Sequence, residues 1–171
     1  AVAIARLDVG TARDLAVAYS QSALQKRAVD AADPLSHFGP KDKELRNRLR
    51  ARGRQVGDVR SADGTQSIDQ LAQELAYEYW HRMLFARYLA ESSLLIPPDL
   101  GTPVTLEECK ELAKDEKTNL WALAGRYAQT MLPEIFRTDD PVLQVPLARE
   151  DQLKLEHLLD DLATEVFTAS D

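Results

Sequence analysis

Ser-Ile-Asp-Gln-Leu-Ala-Gln-Glu-Leu-Ala-Tyr-Glu-Tyr-Trp-His-Arg-Met-Leu-Phe-Ala-Arg-Tyr-Leu-Ala-Glu-Ser, residues 67–92, decides the fold class. Ser67 stands where a helix N-cap belongs, and Gln70 where its capping-box partner belongs. Ile68, Leu71, Leu75, Ala76, Tyr79, Trp80, Met83, Leu84 and Ala90 then recur mostly in steps of three and four, the repeat of a helix face. The spacing predicts one long helix to about Ser92, stopped by Pro97-Pro98. Its apolar stripe is wide, so it reads as the central helix of the core.

Downstream, Thr105-Leu106-Glu107-Glu108 is a second capping box and opens a short helix to about Lys114. Thr118 or Asn119 caps another, through Leu120, Trp121, Ala124, Tyr127, Ala128 and Met131. Glu150–Phe167 carries Leu153, Leu155, Leu158, Leu159, Leu162 and Val166 as an inward stripe. Upstream, Thr11 can cap a helix through Leu15, Ala18, Tyr19, Ala23 and Leu24 to about Asp30. Ala32–Pro40 reads as a loop, Lys41–Arg52 as a very polar helix, and Gly53–Thr65 as a loop. No alternating pattern exceeds four residues. The fold expected is all-α, an irregular bundle of five or six helices with long loops. Residues 1–171 read as a single helical domain, with a basic, loop-rich part at 1–66 and a helical core at 67–171.

The chain has 171 residues, 44% hydrophobic and 29% charged, ordinary values for a globular protein with a real core. No apolar run approaches the roughly 18 residues of a membrane-spanning helix, so no membrane partner is expected. The lone Cys109 excludes an internal disulfide and a Cys-based zinc site, and fits a cytoplasmic protein. The net charge of −7 hides an asymmetry. Residues 1–60 hold 12 Lys/Arg against 7 Asp/Glu, whereas residues 61–171 hold 9 against 21. Nucleic-acid contact follows the local patch rather than the total, so the acidic balance does not exclude it.

The basic excess concentrates in residues 41–60, with eight Lys/Arg against three Asp/Glu. Lys41, Lys43, Arg46, Arg48, Arg50, Arg52 and Arg54 are the candidate DNA-phosphate-binding residues. On a helix Arg46, Arg50 and Arg54 share one face, and Arg48 and Arg52 another. Guanidinium forks suit phosphate oxygens. The competing reading is a solvated helix paired with acidic neighbours.

Other chemistry-bearing residues read as structural. His81, His157 and His37 have no second His or Cys at metal-ligand spacing. Asp139-Asp140 reads as turn and cap chemistry, and Asp160-Asp161 as an exposed helix face. Tyr77, Tyr79, Trp80, Trp121, Tyr127 and Phe136 could stack on bases, but sit mostly on apolar helix faces. Cys109 follows two glutamates with nothing nearby to lower its pKa. No catalytic or metal-binding residue is expected.

Leu132–Leu147 reads Leu-Pro-Glu-Ile-Phe-Arg-Thr-Asp-Asp-Pro-Val-Leu-Gln-Val-Pro-Leu. Pro133 stops the helix before it. Asp139-Asp140-Pro141 is a turn, and Val142-Leu143-Gln144-Val145 is apolar but only four residues long. Ile135, Phe136, Val142, Leu143, Val145 and Leu147 mark an ordered connection lying on a core, not a solvated linker. With the helix upstream and the Leu-rich helix downstream, roughly Ser67–Asp171 resembles the N-terminal helical region of large bacterial N6-adenine-specific DNA methyltransferases. These are the enzymes of type IIG restriction-modification, BREX and DISARM phage defence.

The resemblance implies a parent that transfers a methyl group from S-adenosylmethionine to adenine N6 in double-stranded DNA. Its catalytic parts are a Gly-rich turn for the cofactor and an Asn/Asp-Pro-Pro-aromatic loop for the flipped base. This chain carries neither: its Pro-Pro is Ile96-Pro97-Pro98-Asp99, and Gly53 and Gly57 are too far apart. No cofactor is expected in this chain, which would stand ahead of a downstream methyltransferase domain, support DNA binding and meet other defence-system subunits. The start at Ala1 and the cap-like Thr168-Ala169-Ser170-Asp171 fit a piece of a longer protein. The alternative is a stand-alone helical module for protein–protein interaction.

Overall fold

A computed structural model describes residues 9–134 and 140–161, with side chains from residue 12 onward. Among the described residues there are six α-helices, one 3-10 turn and no strand. The helices are α1 (Val9–Gln25), α2 (Pro40–Val56), α3 (Asp69–Glu91), α4 (Leu106–Asp115), α5 (Leu120–Met131) and α6 (Arg149–Asp160), and the 3-10 turn is Pro141–Gln144. The chain is all-α, with long connections between its helices.

It clusters into two compact units, one drawn from Ala1–Tyr79 and Asp139–Leu155, the other from Trp80–Thr138 and Glu156–Asp171. The division falls inside α3, between Tyr79 and Trp80. Both units are discontinuous in sequence, and no composition shift marks a boundary inside a helix. The first unit buries Ala16, Leu24, Val29, Leu49, Leu71, Leu75, Val142, Val145 and Leu155. Here α2 packs on the 3-10 turn, and the Tyr79 hydroxyl donates to the Val145 carbonyl at 2.7 Å. The connection thus lies on a core at Val142, Val145 and Leu147; Ile135, Phe136 and Asp139 lie outside the described residues. Val142–Val145 forms no strand, because Pro141 and the Asp140 carboxylate, which accepts the Val142 amide at 3.0 Å, start a helical turn.

In the second unit α4 packs on α5, around Leu89, Leu95, Cys109, Trp121, Leu123 and Leu159. The Thr105–Glu108 capping box forms: Thr105 Oγ1 accepts the Glu108 amide at 3.2 Å, and Glu108 accepts the Thr105 amide at 2.8 Å. Asn119, not Thr118, caps α5, accepting from the Ala122 amide at 2.7 Å. The Arg87 guanidinium donates to the Leu159 carbonyl in the last turn of α6. The expected continuation of that helix to Phe167 passes outside the described residues.

Helix ends differ most from the sequence reading. The first helix begins at Val9, ahead of Thr11, and ends at Gln25, short of Asp30. Its exit is a Schellman motif: the Val29 amide donates to Leu24 O and the Ala28 amide to Gln25 O, with Ala28 at φ +52°. The same paired bonds end α3 at Ser93 (φ +55°) and α4 at Lys117 (φ +53°). Only α2 uses glycine there, Gly57 at φ +113°. The cap of α3 also differs. Asp58, just past the end of α2, accepts the Gln70 amide at 3.0 Å and the Leu71 amide at 3.1 Å. Ser67 instead accepts the Val59 amide at 2.8 Å.

Candidate nucleic-acid interface

Little in α2 is apolar, so hydrophobic burial alone does not hold it. About half of its residues are Lys, Glu and Arg, which lose little side-chain freedom in a helix. Pro40 opens it with a preset φ, and Asp42 reaches back to accept the Gly39 amide at 3.1 Å. Gly57 closes it. The buried positions are Arg46, Leu49, Arg50 and Gly53, spaced i, i+3, i+4, i+7 as a core-facing stripe is. Two of the four are arginines.

Those two guanidiniums bind backbone. Arg46 Nε donates to Ala28 O at 2.7 Å, and one of its terminal nitrogens donates to Ala31 O at 2.6 Å and Ala32 O at 3.1 Å. Arg50 donates to Val29 O at 3.1 Å, to Ala31 O and to Gly64 O at 2.6 Å. The α1–α2 connection bends sharply past Ala28 and offers carbonyls that no helix or sheet satisfies. An arginine fork satisfies several of them while its charge stays on. Burial, above all, pushes both guanidiniums below their ordinary pKa; at Arg46 Asp33 opposes this more than Arg60 adds to it, while at Arg50 Arg46, Arg60 and Arg54 add to it and Asp30 opposes it.

The seven basic candidates therefore divide. Arg46 and Arg50 face inward, their donors committed to carbonyls, so in this arrangement they do not present to a phosphate. The face that Arg46, Arg50 and Arg54 share on the helix is therefore turned inward at its first two arginines, because it meets free carbonyls there, while Arg54 stays exposed. Arg52 is half-buried and pairs with both carboxylate oxygens of Glu74 through Nε, at 3.1 Å, and one terminal nitrogen, with Asp140 at 3.8 Å. The Glu74 hydrogen bond, first among the causes, raises its pKa. Arg54 is exposed and donates to Gln66 Oε1 at 3.1 Å. Lys41, Lys43 and Arg48 are exposed. Lys41, Lys43, Arg48 and Arg54 therefore form the outward cationic set.

The 58–67 segment braces the same inner stripe, at Arg50 and Gly53. Val59 and Ser67, and Ser61 and Thr65, are joined by backbone bonds of 2.9 Å, making one antiparallel bridge, Arg60 opposite Gln66. Gln66 is buried, and its Nε2 donates to Arg50 O at 3.0 Å. Gly53 permits this approach, since a Cβ there would lie 2.9 Å from Gln66 Nε2 and 3.0 Å from Asp58 Oδ2. The sequence reading missed Arg60, Gln66, Glu74 and Asp58. The only local signal was Gly53, which the sequence pattern puts at the start of a loop but which lies inside α2, where a glycine marks a close approach.

The remaining candidates fall as follows. Trp121 and Tyr127 are buried, Trp80 and Tyr79 half-buried, and Phe136 lies outside the described residues. Tyr77 (62% exposed) is open to solvent. His81 stacks on Phe85, with ring centroids 6.1 Å apart, and His37 meets Phe38 edge-on. Among the described residues no group of three His, Cys, Asp or Glu is placed to hold a metal ion. Cys109 is buried, and burial, then Glu116, pushes its thiol from 9.0 up to about 11, the reverse of an activated nucleophile. No described helix is long and apolar enough to cross a membrane. Compared with known proteins, the chain matches no family model, no curated protein and no solved structure.

Proposed function

We propose that this chain is a non-catalytic helical module that contacts the sugar–phosphate backbone of double-stranded DNA through the outer side of α2. The observation that carries the reading is the division of labour on that helix. Arg46 and Arg50 fasten its inner side to loop carbonyls, which leaves Lys41, Lys43, Arg48 and Arg54 outward on a braced element. Cations on a fixed helix bind phosphates without the ordering cost that a flexible tail incurs. No feature reads a base edge, so the contact is sequence-independent.

The resemblance to adenine-specific methyltransferases supplies the setting. There the module supports a catalytic domain of a restriction-modification or phage-defence protein. That domain, not this chain, binds S-adenosylmethionine and moves its methyl group to adenine N6. Arg46, Arg50 and the Gly57 stop keep α2 in register with the first unit, and α2 holds the duplex. A second reading, a protein–protein interaction module, is favoured by the exposed Tyr88, Leu94 and Leu100 of the second unit. Titrating a labelled duplex oligonucleotide with the full chain at low salt tests the first reading. Binding that salt abolishes supports it; no binding at low salt leaves the second.

A further inference from the structure

Arg60 stands apart from the helix that carries the basic run, yet the bridge brings it there. In the Arg60–Gln66 pair the flanking residues, not the pair itself, exchange the hydrogen bonds. Side chains of such a pair rise from the same face of the ladder, about 5 Å apart at Cβ. The Gln66 side chain is turned to α2, bonded to Arg50 O and to the Arg54 guanidinium. Arg60 therefore rises toward the same helix face, and its charge acts on both Arg46 and Arg50.

Four guanidiniums thus converge: Arg46 and Arg50 buried beneath, Arg54 and Arg60 at the surface. Their hydrogen-bond acceptors are carbonyls and one amide, all uncharged. Among the described residues no carboxylate lies within ion-pair distance of any of the four; Asp30 and Asp33 act only at longer range. The Arg60 side chain makes no hydrogen bond or ion pair among the described residues. Like charges held together around neutral partners leave a positive potential at the surface that an oxyanion relieves. Two exposed forks with uncommitted N–H groups supply directional donors for it.

We infer that Arg54 and Arg60, over the Gln66 side chain, form a phosphate-binding subsite at the C-terminal end of α2. The ligand chemistry is a tetrahedral phosphate oxyanion, whether a backbone phosphate of nucleic acid or a free phosphate. The subsite stands on this geometry and not on the DNA reading, although a bound duplex would extend the outward set of α2 to Arg60.

The test uses the full chain, with inorganic phosphate against chloride at equal ionic strength, and separately a duplex oligonucleotide. Variants are Arg60→Ala, Arg60→Lys and Arg54→Gln, with Arg13→Ala near the start of α1 as a charge-removal control. Arg60 is exposed and its side chain makes no hydrogen bond or ion pair among the described residues, so its variants are expected to fold, which circular dichroism checks. Removing a forked, charge-assisted interaction weakens binding about tenfold. The expected result is that weakening in Arg60→Ala and Arg54→Gln for at least one ligand, with Arg13→Ala at the wild-type value. The ligand affected identifies the source of the phosphate. Arg60→Lys keeps the charge and loses the fork, and is expected to stay weakened. Wild-type affinity in Arg60→Ala for both ligands, or in Arg60→Lys, overturns the subsite. Duplex binding that depends on Lys41 and Arg48, with Arg60→Ala at the wild-type affinity for both duplex and inorganic phosphate, sinks the subsite and spares the DNA reading. Phosphate binding without duplex binding does the reverse.

Discussion

Asp58 accepts the backbone amide of Leu71 at 3.1 Å, so the residue that follows the stop of α2 caps the start of α3. Its own amide donates to Gly53 O at 2.8 Å, the long bond of the Schellman motif. One residue therefore ends one helix with its backbone and begins the next with its side chain. A carboxylate at that N-terminus also meets the positive end of the helix dipole. Asp58→Ala leaves the Gln70 and Leu71 amides without their acceptor and is expected to cost about 1–2 kcal/mol. Asp58→Asn keeps one acceptor oxygen and should lose less. Urea midpoints rank the two; equal midpoints for Asp58→Ala and wild type would remove Asp58 as the cap.

Arg50 reaches Val29, Ala31 and Gly64, three carbonyls from two loops. Arg50→Met keeps an unbranched apolar stem and removes all the donors. The destabilisation expected is at least about 2 kcal/mol, because buried carbonyls go unpaired. Arg50→Lys keeps the charge but is a single point donor, and should also destabilise. Hydrogen exchange at the Gln66 amide, which donates to Asp30 O at 2.9 Å, reports the loosening directly. Unchanged protection in both variants would show that the guanidinium does not hold the loops.

Lys117 ends α4 in the left-handed region at φ +53°, where a side chain costs roughly 1–2 kcal/mol. Lys117→Gly relieves that strain but adds freedom to the unfolded chain, for a net gain of about 0.5–1 kcal/mol. In a chain of this size that raises Tm by about 2 °C. Lys117→Val should lower it. A glycine variant less stable than wild type would contradict the Schellman assignment.

These helix ends also show what the sequence could and could not reveal. The stripe from Leu71 to Ala90, the Thr105–Glu108 box and the Asn119 cap are short-range signals, and the helices they mark are present. The ends at Ala28, Ser93 and Lys117 lack the glycine that announces such a stop, so α1 reads too long. Asp58 lies too far ahead of α3 for a capping pattern to find it. The basic run was legible as a helix, but its inner and outer sides were not. Arginine counts as exposed until the carbonyls it meets are known, and those belong to residues 28–32 and 64.

Cys109 carries a thiol raised from 9.0 to about 11, by burial first and Glu116 second. The folded state thus holds its proton more tightly than the unfolded state does. The stability this contributes is fully present below pH 9 and is lost as pH rises through about 11. Alkylation by iodoacetamide at pH 8 should be roughly a hundredfold slower in the folded chain than in urea, from the thiolate fraction alone. Equal rates would show an accessible, ordinary thiol.

The salt dependence of duplex binding decides whether the outer cations of α2 meet phosphates. Wild-type chain is compared with a variant carrying Lys41→Ala, Lys43→Ala, Arg48→Ala and Arg54→Ala, which leaves Arg46 and Arg50 in place and the fold intact by circular dichroism. Every phosphate that is no longer neutralised takes about 0.9 off the slope of log K against log salt. The expected slope is shallower by about 2 to 4 in the variant, with affinity reduced uniformly across duplex sequences. An unchanged slope and affinity in a folded variant would contradict the assignment of α2 as the DNA-contacting element.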